Sequence, residues 1–214
     1  VEVLLGGRIH LAAHATQRLT DRLLAALPRQ PYEFRVQVVR ESEVNAFALP
    51  GGQIIVYTGL IAAAETPEEF AGVLAHEMHH VLRRHGMKRI ARSVGLVAIA
   101  QTLLGNSAGL LGLLRDRAPQ LLSLRFDRRQ ELEADAGALQ TLTAARVLPQ
   151  GMLAFFERLS RREGALAGAL AFASTHPTSE HRLERLKNAV AALPTPPAPP
   201  LKLDWQRVRA RCAH

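Results

Sequence analysis

Apolar residues recur at helical spacing from about Leu11 to Leu27, and Pro28 closes that run. A β-branched stretch, Val1–Leu5, ends at Gly6-Gly7 and predicts a short strand ahead of it. Tyr32–Val39 then alternates apolar and polar positions, the period of a strand. Val44–Ala48 and Gln53–Tyr57 flank the turn sequence Leu49-Pro50-Gly51-Gly52, which predicts a β-hairpin leading through Thr58-Gly59-Leu60 into a short helix. The next helix, Thr66–Gly86, carries signals at both ends. Thr66 can cap it, Pro67 suits the first turn, and Glu69 completes a capping box. Phe70, Val73, Leu74, Val81 and Leu82 form an apolar stripe, and Gly86 is placed to stop the helix.

Further on, Ser93–Leu114 runs for 22 residues without a charge, long enough to cross a bilayer. Gln101, Thr102, Asn106 and Ser107 interrupt its middle. It is therefore read as a soluble pair of apolar helices broken near Gly105-Asn106, with peripheral membrane contact left open. Arg128–Leu142 is an Ala-containing helix, and Pro177 suits the first position of a helix reaching about Ala192. Pro194–Pro200 (PTPPAPP) is an extended linker. In Leu201–His214, the row Leu201, Trp205, Val208 and Cys212 predicts an amphipathic segment that docks on the body. The whole pattern is α+β and mainly α, with a small antiparallel sheet or hairpin beside the Thr66–Gly86 helix.

Composition trims the possibilities. A chain of 214 residues with 48% hydrophobic content can bury one good core. The net charge is +8, but no RNP-like aromatics, zinc-finger spacing or Lys/Arg block accompany it, so nucleic acid is not the expected partner. The arginines are spread over helical faces, as on a solvated surface, and attraction to anionic lipid headgroups is the secondary reading. The single cysteine, Cys212, excludes an internal disulfide. The chain begins at Val1, which suggests a processed or truncated piece.

The chemistry lies in His76-Glu77-x-x-His80. Two histidines four apart share one helical face and can hold one metal ion, one Zn²⁺ per chain. Glu77, one position after the first ligand, is placed to reach a water rather than the metal. His79 and His85 fall off that face and are expected to be structural or solvated; His10 and His14 read as helix-surface residues. Zinc held by two histidines needs a third protein ligand and an open position. Glu131 and Asp135, four apart on the Arg128–Leu142 helix, can supply that ligand and a carboxylate that orients a ligand histidine. Glu133 competes with Glu131 for the ligand role. The hairpin strand Asn45, Ala46, Phe47 and Ala48 would offer its free edge to an extended peptide or unfolded protein substrate.

HEMHH followed by ELEAD resembles the HtpX-like and CAAX-protease-like zinc metallopeptidases, peptidase family M48. NAFALPGGQIIVYTGLI and THPTSEHR are similar to that family's sequences too, so the resemblance runs roughly from Val36 to Leu186. It implies a zincin-type helical metalloprotease with His76, His80 and Glu131 as zinc ligands, Glu77 as base and Asp135 behind a ligand. It also implies that His176 and Arg182 lie near the metal and steady the tetrahedral intermediate; in some relatives a histidine at this point caps the zinc. Read from the residues alone, His176 precedes a helix, and His181 and Arg182 are surface positions. The expected division is a catalytic domain over 1–193, a linker over 194–200 and an amphipathic segment over 201–214. Many members carry transmembrane helices that are not evident here, which points to a soluble or lipid-peripheral subgroup in a bacterial cell envelope. Two other readings remain: a zinc-containing, proteolytically latent, chaperone-like peptide binder, and a basic membrane-surface or nucleic-acid module with structural histidines. Substrate, cleavage preference and oligomeric state are not written in the sequence.

Overall fold

The computed structural model describes residues 9–92, 95, 126–163, 171–177, 179–193 and 199–213. The expected Val1–Leu5 strand, the Ser93–Leu114 helix pair and most of the Pro-rich linker lie outside the described residues. Those described form helices α1 (Ile9–Ala26), α2 (Thr58–Ala63), α3 (Pro67–Leu82), α4 (Arg128–Ala144), α5 (Gln150–Glu163), α6 (Ala171–Thr175), α7 (Glu180–Ala191) and α8 (Trp205–Cys212). A three-stranded sheet of β1 (Arg35–Val39), β2 (Ala46–Ala48) and β3 (Gln53–Tyr57) completes them. Among the described residues no helix is long and apolar enough to cross a membrane.

The fold is arranged around α3. Pro67 to Val81 are all buried, because α1, α4, α5 and β2 pack around the helix. The apolar stripe read from the sequence is therefore only part of its buried surface, which extends to Glu68, Glu69, His76, Glu77, His79 and His80. Close approach of the neighbours depends on two glycines. A methyl at Gly72 would sit 2.6 Å from Met152 Cβ of α5, and one at Gly137 of α4 would overlap the His79 ring.

The ends of α3 differ from expectation in detail. Thr66 caps the helix by accepting from the Glu69 amide at 3.2 Å, but Glu69 reaches back to the Glu65 amide rather than to that of Thr66. Nor does Gly86 end the helix: α3 stops at Leu82, Arg84 takes a left-handed φ of 56°, and the chain is helical again over residues 85–92. In α4 it is Asp127 and Gln130 that form a complete capping box.

The sheet is mixed. β2 and β3 form the expected hairpin, with Gly51 and Gly52 at φ of 89° and 99° in the turn. β1, however, runs parallel to β3, so the order is β1-β3-β2 and the expected all-antiparallel sheet is corrected. The reason is the connection over 40–45, which carries the chain across to the far edge before β2 begins. That connection lies against the start of α2, where a side chain on Gly59 would overlap the carbonyl oxygens of Ser42 and Glu43. The result leaves β2 as an edge strand lying against α3.

Two further expectations resolve. His10 and His14 are exposed on α1. The helix after His176 begins later than Pro177, because Ser179 caps it through the Arg182 amide at 3.2 Å. In the C-terminal segment, Trp205, Val208 and Cys212 are buried, and α8 packs against α1 and α2.

Candidate metal centre

Helix α3 aims His76 and His80 at one point, and α4 crosses it so that Glu131 faces the pair. The short helix α6 turns through His176, whose amide donates to the Phe172 carbonyl at 2.8 Å, and brings that ring in from a third side. One ligand atom from each of these four buried residues lies within 4.8 Å of all the others. The separations are 3.0 Å for His76 Nε2 to His80 Nε2, and 3.2 Å for His76 Nε2 to His176 Nδ1. Glu131 Oε1 lies 3.3 Å from His80 Nε2 and 3.1 Å from His176 Nδ1, and Oε2 lies 3.5 Å from His76 Nε2. Ligands about 2.0–2.1 Å from a tetrahedral zinc ion stand roughly 3.3 Å apart, so the group has the spacing of a coordination shell. Its own hydrogen bonding does not account for it. Glu77 Oε1 and His176 Nε2 are buried without a hydrogen bond, 3.3 Å from one another. Imidazole nitrogen and carboxylate oxygen are donors that suit a divalent metal.

Glu77 is beside this group rather than in it. Its Oε1 lies 3.3 Å from His176 Nε2, and its Oε2 accepts from the Ala48 amide of β2 at 2.9 Å. Asp135 stands behind His76, with Oδ1 2.9 Å from Nδ1. Arg182, buried rather than on the surface, grips Asp135 with two nitrogens at 2.6 and 2.8 Å and reaches Glu131 at 2.5 Å. His181 beside it is exposed. Glu133 points away from the cluster, 2.8 Å from Arg129 and 3.3 Å from His85. Aromatic rings wall the site. Phe126 stacks on His80 at 3.8 Å, Phe172 stacks on His176 at 4.4 Å, and Phe156 meets His76 edge-on at 5.7 Å.

The electrostatics separate the roles. Burial holds His80 neutral, well below the usual imidazole range, with Glu131 opposing only in part. Burial would do the same to His76, but Glu131 and Asp135 outweigh it and raise that ring to about 9. For Glu131, burial favours the neutral acid; His176, Arg182 and His76 override it and keep the carboxylate well below its ordinary value. Asp135 is likewise held down, by Arg182 against burial. Glu77 moves the other way: burial raises it, and His176 and His76 offset this only partly. A carboxylate readied to take a proton therefore sits beside one that stays ionised.

His79 is structural as expected, its Nε2 2.9 Å from Thr141 Oγ1. Of the two alternatives for His85, the buried one holds. It is fully buried, with Nδ1 3.0 Å from His80 Nδ1. The sequence carried no usable sign of this, nor of the Phe126, Phe156 and Phe172 walls, since both depend on how distant segments are brought together.

The model of Peptidase family M48 matches residues 11–190. Similar proteins include mitochondrial metalloendopeptidase OMA1 of Schizosaccharomyces pombe, 33% identical over 189 residues, covering 85% of this chain and 55% of that protein. Metalloprotease LoiP of Escherichia coli is 30% identical over 167 residues, covering 76% of this chain and 64% of LoiP. The beta-barrel assembly-enhancing protease of Escherichia coli is 30% identical over 167 residues, covering 72% of this chain and 34% of that protein. The chain thus spans from about a third to just under two thirds of the length of these relatives.

Proposed function

This chain belongs to peptidase family M48, and from that premise we propose that it is a zinc-dependent endopeptidase cutting peptide bonds within protein substrates. The observation that carries the reading is the convergence of buried His76, His80, Glu131 and His176, with Glu77 at its side. In this reading His76, His80 and Glu131 hold the zinc, which supplies Lewis acidity toward a carbonyl and a water. Glu77 takes the proton from the attacking water and passes it to the leaving nitrogen, a task helped by its raised affinity for protons. Asp135 fixes His76 through Nδ1. Arg182 acts through the two carboxylates it bridges, keeping Glu131 ionised and aimed. Phe126, Phe156 and Phe172 exclude water around the rings.

The β2 edge supports an extended peptide as substrate. The Leu49 amide donates to the Gln53 carbonyl and the Asn45 carbonyl accepts from the Tyr57 amide, which leaves the amides and carbonyls of Ala46 and Ala48 facing away from β3. An added strand there would lie alongside Glu77, to which the Ala48 amide already donates. Asn45 and Phe47 set the register from the β3 side. Relatives named for mitochondria and for β-barrel assembly are consistent with substrates near a membrane, including that of a bacterial envelope.

His176 favours a second reading of the same site. With Nδ1 in the cluster it makes a fourth protein donor, and four protein ligands close a zinc site. This would be a resting form that opens when His176 withdraws; in the first reading His176 instead stays beside the site and steadies the developing oxyanion. His176→Ala separates the two: lower cleavage supports the oxyanion role, and higher cleavage supports the cap. A proteolytically silent, chaperone-like binder is less favoured, because Glu77 is intact and the relatives are named as proteases. The ligand assignment is tested by zinc content. Glu131→Ala should lose zinc and Glu133→Ala retain it; the reverse would overturn the assignment.

A further inference from the structure

The two ligand histidines of α3 are backed differently, and only one backing was readable in the sequence. Behind His76 stands Asp135; behind His80 stands another imidazole, His85, with Nδ1 facing Nδ1 at 3.0 Å. On an unbroken helix a residue five positions on is rotated by about 140° and cannot face its predecessor. His85 reaches His80 because α3 breaks: Arg84 adopts φ of 56°, a conformation uncommon for arginine. Arg84 is held there by its amide on the Val81 carbonyl and its Nε on the Tyr32 hydroxyl, both at 2.9 Å. Backbone strain of this kind persists where surrounding contacts impose it.

We propose that His85, backed by Glu133, is a positioning residue that fixes the tautomer and aim of His80 for the metal. The inference rests on the zinc-site reading above. Between the two facing Nδ1 atoms there is room for one proton. If Nε2 of His80 is the ligand atom, its Nδ1 carries that proton and donates it to His85 Nδ1. His85 must then be protonated on Nε2, which lies 3.3 Å from Glu133 Oε2. Glu133 is steadied by Arg129 at 2.8 Å. Each donor thus meets an acceptor, from α4 through the helix break to the ligand. Phe126, stacked on His80, blocks rotation of that ring. The chain also gives Glu133, the rejected ligand candidate, a role in the same centre.

The test measures zinc affinity by competition with a chromophoric chelator for wild type, His85→Leu, His85→Gln and Glu133→Leu, with unfolding of each followed in chelator. His85→Leu should weaken zinc about 10- to 100-fold, the usual effect of losing a ligand's outer partner. His85→Gln, which can accept from His80 and donate to Glu133, should recover most of that loss. Glu133→Leu should fall between wild type and His85→Leu. A purely structural role predicts that Leu and Gln differ in metal-free stability but not in zinc affinity. Equal zinc binding by wild type and His85→Leu, or no recovery with Gln, would overturn the inference. Nitrogen-15 NMR of the zinc-loaded wild type should find His85 protonated on Nε2; protonation on Nδ1 would also overturn it. Failure of the wild type to take zinc at all would instead defeat the functional reading on which this one stands.

Discussion

Both halves of α3 bury ionisable groups, and they use them in opposite ways. At the N-terminal half, Glu69 receives Arg158 through two bonds of 2.8 and 2.5 Å and the Glu65 amide at 2.6 Å. Glu68 accepts from the Leu201 amide at 2.6 Å, and Trp205 packs against Phe70 while its Nε1 donates to the Ala64 carbonyl at 2.8 Å. These carboxylates have donors supplied, so that end is a clamp for the C-terminal segment. At the other half, two histidines, a third that follows α6 and Glu131 bring four ligand atoms within 4.8 Å of one another. Burial of charge does not by itself distinguish a site from a strut. Convergence of ligand atoms on one point does.

This contrast can be broken from either end, and the largest effect is expected at the metal half. Glu131→Ala should cut zinc affinity by more than the roughly 100-fold typical of losing an outer partner. Chelator competition would detect it, and unchanged affinity would mean that the cluster is not the ligand set. At the clamp half, Glu69→Ala leaves Arg158 partly buried without its main partner. A cost of about 3 kcal/mol in urea unfolding is expected, with zinc affinity of the folded protein unchanged. A parallel loss of zinc would show that the halves are not independent.

A smaller test uses His79, which lies in the metal half but turns to Thr141. Burial lowers its pKa from 6.5 to about 4. The unfolded chain therefore binds the proton first as pH falls, and stability present above pH 6.5 is lost on the way down to 4. By pH 5 the loss from this ring should reach about 2 kcal/mol in metal-free protein. His79→Gln should flatten that part of the stability profile; an unchanged acid limb would refute the assignment.

What could be read from the sequence was local. Thr66, Pro67 and the His76/His80 spacing lie within one helix, where periodicity alone sets the facing residues. Glu131 and Asp135 were legible for the same reason, and the Gly51-Gly52 turn announced the β2–β3 hairpin. The parallel pairing of β1 with β3 was not legible, because it depends on a crossing connection rather than on alternation. Read from the residues alone, Arg182 looked like a surface residue, although the family resemblance placed it near the metal; the packing of α7 on α4 and α5 carries it inward to Asp135. His85 was hidden by the assumption that α3 continues to Gly86; the break at Arg84 changed the face it presents.

The most direct test of the account compares wild type with Glu77→Gln, each assayed for bound zinc and for cleavage of casein. The account predicts one zinc in both proteins and chelator-sensitive cleavage in the wild type alone, with the variant lower by roughly 10²- to 10⁴-fold. Absence of zinc from both, or undiminished cleavage by a zinc-bearing Glu77→Gln, would contradict it.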